Sequence, residues 1–150
     1  MLFRSSEVVS AQSFLRKMMQ DGNTAEAKKA LKALIADVPY SNKKMASMDM
    51  EERYRLIMST IFRALGFRVE VERMLATGRI DMIVEVPSFI YVLELKLSNN
   101  GGISAAESQI KDKSYTEPFK ADKRKVIALA VELDETGKGL IDWKEVDESL

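Results

Sequence analysis

The chain of 150 residues contains no cysteine and no histidine. Together those absences exclude disulfides, thiolate zinc sites, cysteine nucleophiles, His-Asp-Ser triads and histidine general bases. Net charge is missing as well, since 23 acidic residues stand against 23 basic ones. Whole-molecule charge therefore gives no argument for nucleic-acid binding, and any affinity for phosphate must come from local patches. There is no long apolar run, and the opening LFRSSEVVS is too interrupted by charge and serine for a signal peptide or a membrane span. The expectation is a cytoplasmic protein with no membrane partner. What the absences leave is oxygen-ligand chemistry, in which Asp and Glu hold Mg2+ or Mn2+ with help from Lys or Tyr.

Hydrophobic residues make up 46% of the chain, which suits a single domain with a real core. Residues 5–37 read as two helical pieces broken at Asp21-Gly22-Asn23-Thr24. Leu31, Leu34, Ile35 and Val38 give the second piece an apolar stripe that Pro39 ends. A polar connection over 41–47 carries Lys43 and Lys44. The clearest helix spans 48–65, where Met50, Tyr54, Ile57, Met58, Ile61, Phe62 and Leu65 share one face before a left-handed stop at Gly66. Glu51 turns toward that face and Glu52 away from it. Position alone lets Glu51 either complement the helix dipole at the core's edge or serve a site.

After Gly66 the period becomes that of a strand. Residues 67–75 alternate Val69 and Val71 with Glu70 and Glu72, and Thr77-Gly78 turns the chain. Strands at 80–86 and 89–97, joined at Pro87-Ser88, read as antiparallel. In the second, Ile90 and Val92 share a face with Glu94 and Lys96, and the other face is apolar too, so the strand is central. Asn99-Asn100-Gly101-Gly102 breaks it, and Ser104 is positioned to cap a helix through Lys113. Another buried strand spans 125–133, and a short last element surrounds Trp143. The order of elements predicts an α/β or α+β sandwich with a mixed sheet.

Asp81, Glu94 and Lys96 interrupt the two apolar runs of GRIDMIVEVPSFIYVLELK. Burying such groups costs several kcal/mol each unless they are paired or bind a metal. Glu94 and Lys96 emerge side by side, and an antiparallel neighbour brings Asp81 opposite them. Two carboxylates and the backbone carbonyl of Leu95 then suit one hydrated Mg2+, with Lys96 beside it. That arrangement points to metal-assisted phosphodiester hydrolysis. Glu-x-Lys on a strand is also an ordinary salt bridge, so the residues by themselves leave both readings open.

Asp81, thirteen residues on Glu94-Leu95-Lys96, an acid-bearing helix before them and a helix with Gln109 after them resemble the PD-(D/E)XK nuclease superfamily. GRIDMIVEV, YVLELKL, AESQIKDKSYTEPF, KADKRKVIALAVEL and IDW further resemble a bacterial branch in which such a domain follows an AAA-ATPase-like region. The resemblance runs from about Leu31, through Val38-Pro39-Tyr40, to Trp143. It implies a restriction-endonuclease-like core over 47–150, with an N-terminal helical segment, 1–46, packed on it. It further implies Asp81 and Glu94 as ligands of Mg2+ or Mn2+, Lys96 as the catalytic lysine, Glu51 as the acid of the first core helix, and Gln109 with Tyr115 as a supporting polar pair. Glu72 and Arg79 flank the site. The substrate implied is nucleic acid, DNA in the first instance, and the chain's other partners would be an ATPase-like region and a second copy in a homodimer. Ile80 stands where the motif's name has proline. The alternative is a catalytically silent module that keeps the fold for binding nucleic acid or protein, with Lys111, Lys113, Lys120, Lys123, Arg124 and Lys125 as its basic run.

Overall fold

A computed structural model describes residues 5–38 and 48–147, with side chains from residue 10. The connection at 41–47, Pro39 and Tyr40 lie outside the described residues. The elements are α1 (Ser5–Asp21), α2 (Thr24–Ala36), α3 (Met50–Ala64), β1 (Arg68–Met74), β2 (Arg79–Glu85), β3 (Phe89–Leu97), α4 (Gly102–Asp112), β4 (Lys125–Leu133) and β5 (Leu140–Val146), with single 3-10 turns at Ser98–Asn100 and Glu117–Phe119. Strand order in the sheet is β1-β2-β3-β4-β5. Only β3 and β4 run parallel, and α4 supplies the crossover that a parallel pair needs. The fold is α+β with a mixed sheet, as the order of elements predicts. No helix among the described residues is long and apolar enough to cross a membrane.

The sheet buries both faces. On one, Leu15, Met19, Leu31 and Ile35 of α1 and α2 join Tyr54, Met58 and Phe62 of α3 over Met82, Val84, Tyr91, Leu93, Leu95, Leu129 and Val131. The N-terminal helical stripe is thus spent on the core of the sheet. On the other face Ala106 and Ile110 of α4, with Tyr115, cover Ile83, Ile90, Val92, Ala128 and Ala130. At about 25 cal/mol per Å2 of apolar surface, two covered faces supply most of the drive for folding. They also explain why β3 and β4 read as nearly continuous apolar runs.

Local signals set the helix ends. Asn23 caps α2 and Asp49 caps α3, each side chain accepting from the amide three residues on. The Tyr54 hydroxyl anchors α3 to the β4–β5 connection, donating to the Asp134 carbonyl at 2.7 Å and accepting from the Gly139 amide at 2.9 Å. The start of α4 differs from expectation. Its N-cap is Gly101, at φ +97, with no side-chain cap, and Ser104 lies inside the helix. The cap comes instead from the neighbouring strand: Glu132 accepts from the Ile103 amide at 3.1 Å and from the Ser98 hydroxyl at 2.8 Å. Gly102 leaves room for that carboxylate, which a Cβ there would overlap.

Candidate active site

The sheet's regularity fails around Asp81. Between β2 and β3 the Cα partners run from Glu85↔Ile90 to Met82↔Leu93 and stop there. Between β1 and β2 they skip from Val71↔Met82 to Arg73↔Ile80, passing over Glu72 and Asp81. Glu72 has φ +53, in the left-handed region that favours glycine. Strict alternation breaks at the same point. Met82 and Val84 join the cluster under α1–α3, but Ile80, of the same parity, joins the cluster under α4. β2 therefore rotates at Asp81, and the departure from the alternation expected of β1 has the same origin. Asp81 turns its carboxylate into the opening between the strands, where its Oδ2 accepts the Leu95 amide hydrogen at 2.8 Å.

Glu94 faces Asp81 across this opening. Both are buried, at 1% and 3% exposure, and they lie close enough for the Asp81 charge to act on Glu94. Lys96 Nζ stands 3.8 Å from Glu94 Oε2, and Arg79 Nη2 stands 3.8 Å from Asp81 Oδ1. Those separations are too long for hydrogen bonds. Glu94 Oε1 is buried with no hydrogen-bond partner. Burial first, and the Asp81 charge second, raise the Glu94 pKa well above the ordinary carboxylate range, with Lys96 opposing. Two interacting buried carboxyls of this kind are relieved by a shared proton or by a nearby cation.

Glu51 contributes a third acid from the first turn of α3. It is half-buried, and its pKa is raised by burial first and by Asp81 next, with Lys96 and Arg55 opposing. A polar cavity of about 230 Å3 opens beside it, lined by Asp49, Glu51, Glu52, Arg55, Glu72 and Arg79. Arg55 is ion-paired with Glu72 across this cavity. Arg55 escapes a sequence reading because its partner comes from a strand whose backbone bends unpredictably at that residue.

Gln109 and Tyr115 also come together, the Gln109 amide donating to the Tyr115 hydroxyl at 3.0 Å. Tyr115 is fully buried, and its hydroxyl lies where a Cβ at Gly78 would approach to 3.1 Å. The pair therefore backs the turn that leads into β2. Glu132 was not among the expected residues. It pairs in register with Lys96, yet both its oxygens are occupied at the start of α4. Only the parallel pairing of β3 with β4 brings it there.

Three elements thus converge on one pair of carboxylates at the sheet's opening. The model of the PD-(D/E)XK nuclease superfamily matches residues 49–143, from the cap of α3 to Trp143. The chain belongs to the PD-(D/E)XK nuclease superfamily. A similar protein from Azotobacter chroococcum mcd 1, described as an uncharacterized protein in the vnfD 5' region, is 31% identical over 121 residues. That match covers 79% of this chain and 23% of the relative, so the chain spans about a quarter of the relative's length. No solved structure matches the chain. Members of the superfamily are for the most part nucleases that use divalent metals, and the matched span includes Asp81, Glu94 and Lys96.

Proposed function

We propose that the protein hydrolyses phosphodiester bonds of nucleic acid, DNA in the first instance, at Asp81, Glu94 and Lys96 with Mg2+ or Mn2+. The observation that carries this reading is the pair of interacting buried carboxyls with one unpartnered oxygen, Glu94 Oε1. Hard carboxylate oxygens suit a hard divalent cation. Asp81 and Glu94 would hold it. The carbonyl of Leu95 would join them, because amide and carbonyl of one strand residue face the same neighbour and this amide already meets Asp81. Once bound, the ion supplies charge neutralisation at the phosphate and a lowered pKa for water.

The chain's own residues do the rest. Lys96, 3.8 Å from Glu94 and partly exposed, offers an ammonium hydrogen to the phosphoryl oxygen on which charge develops. Asp81 is held at a fixed orientation by the Leu95 amide, so little reorganisation is left for the reacting state. Glu51 adds a third negative charge from α3, and Gln109 supports the entry to β2 through Tyr115.

A second reading, a silent module that binds nucleic acid or protein, draws on a different observation. No group of three or more Asp, Glu, His or Cys close enough to hold a metal ion forms among the described residues. Incubating purified protein with linear, nicked, circular and single-stranded substrates plus Mg2+ or Mn2+, beside Lys96→Ala, separates the two. Cleavage by the parent and not by the variant supports the nuclease. Equal cleavage by both, or none in any condition, leaves the binding module.

A further inference from the structure

The basic run of 111–125 does not act as one patch. Lys111 pairs with Glu107 at 3.6 Å, Lys120 with Glu117 at 3.0 Å, and Arg124 with Glu85 and Asp122 at 2.8 and 2.9 Å. Lys113, Lys123 and Lys125 have no carboxylate within ion-pair distance among the described residues. Of these, Lys125 opens β4 opposite Phe89, at the end of β3 remote from Glu94. Lys123 lies two residues before it. Lys113 is different, because two contacts tie it to the turn that enters β2. Its carbonyl accepts the Thr77 hydroxyl at 2.8 Å, and its Cγ and Cδ lie 3.6 Å from the position of a Cβ on Gly78. The lysine stem thus lies beside the turn at ordinary contact distance. Arg79 follows at once, about half exposed and 3.8 Å from Asp81.

We infer that Lys113 and Arg79 form a phosphate track that leads a nucleic-acid strand away from the Asp81–Glu94 pair. The inference rests on the nuclease reading and names the residues that grip the substrate backbone. Arg79 serves the phosphate next to the carboxylates. Gly78 and Asp81 are separated by about 10 Å of extended chain. That is roughly three nucleotides of axial rise, so Lys113 serves a phosphate about three nucleotides further on. Contacts of this kind position the strand and carry no sequence information. The zero net charge of the molecule is then no obstacle, since Lys113 has no carboxylate within ion-pair distance among the described residues and Arg79 stands 3.8 Å from Asp81, beyond hydrogen-bond distance.

The test is fluorescence anisotropy of a labelled duplex and a labelled single strand in EDTA, over a salt series. The proteins compared are the parent, Lys113→Ala, Lys113→Arg and Lys125→Ala. Lys113→Ala weakens binding and flattens the slope of log affinity against log salt, by about 0.9 on duplex or about 0.7 on single strand. Lys113→Arg and Lys125→Ala keep the parent slope. A Lys113→Ala slope equal to the parent's, or an equal loss in Lys125→Ala, overturns the track. If the parent still cleaves in Mg2+ under that outcome, the nuclease reading survives and only the track is lost. Failure of the parent to bind either ligand overturns the track, and a cleavage assay then decides the nuclease reading separately.

Discussion

The two ends of the β2–β3 pair hold the same residue types and treat them in opposite ways. At the closed end Glu85 accepts Arg124 at 2.8 Å and lies 3.3 Å from Arg68, while Arg124 also bonds Asp122. The strands stay paired there, and a cavity of about 660 Å3 beside them is lined by guanidinium groups already in use. At the open end Asp81 and Glu94 are buried within range of each other's charge, their cations stand 3.8 Å away, and one oxygen has no hydrogen-bond partner. Cavity size would favour the closed end, but chemistry favours the other. A carboxylate bonded at hydrogen-bond distance is structural; two interacting buried carboxyls whose cations stand beyond hydrogen-bond distance are the pair that a bound cation would stabilise most.

That contrast can be broken by mutation, and the largest expected effect is on cleavage. Asp81→Asn or Lys96→Ala lowers the cleavage rate by about 10²- to 10³-fold, whereas Arg124→Ala at the closed end leaves it near the parent value. A steady-state assay under Mg2+ reads the difference. Next in size is the response to the metal itself. Ion at a hundred times its dissociation constant stabilises the parent by about 2.7 kcal/mol, seen as a rise in Tm that Asp81→Asn abolishes and Arg124→Ala keeps.

Glu94→Gln sharpens the comparison in the absence of metal. Its amide can donate to Asp81, relieving a buried unsatisfied acceptor, so stability in EDTA near pH 7 rises by about 1–3 kcal/mol while activity falls. The sign with pH follows from the raised Glu94 pKa. A group whose pKa is higher in the folded state favours folding below its unfolded value, near 4.5, and that contribution is lost as pH climbs toward the folded value. The advantage of Glu94→Gln over the parent therefore grows with pH and vanishes in acid; denaturant titrations showing a constant gap would contradict it. The smallest effect is Arg124→Ala on stability. This partly exposed pair contributes less than about 1 kcal/mol, and salt reduces the loss further.

Much of this was legible before any coordinates. β3, β4 and β5 run to the residues expected, because apolar runs bounded by Pro87-Ser88 and by Asn99 to Gly102 are short-range signals. Glu51 faces inward for the same reason, three residues before a buried Tyr54. The cap of α4 was not legible: Ser104 fits the local rule, but Glu132 reaches the helix start from a strand some thirty residues on. Nor was the fate of the basic run, since the partner of Arg124 is Glu85, 39 residues away.

By itself the sequence determined which side chains are present, which faces most of them occupy, and that Asp81 and Glu94 would be buried in a sheet with Lys96 beside them. Periodicity and capping act over a few residues, so they can be read in order along the chain. The tertiary structure alone decided that β2 rotates at Asp81, that Glu72 leaves the ladder, and that Glu94 keeps one buried oxygen without a hydrogen-bond partner. Those facts depend on register and on the twist of neighbouring strands, which are settled only when the whole sheet packs between its helices.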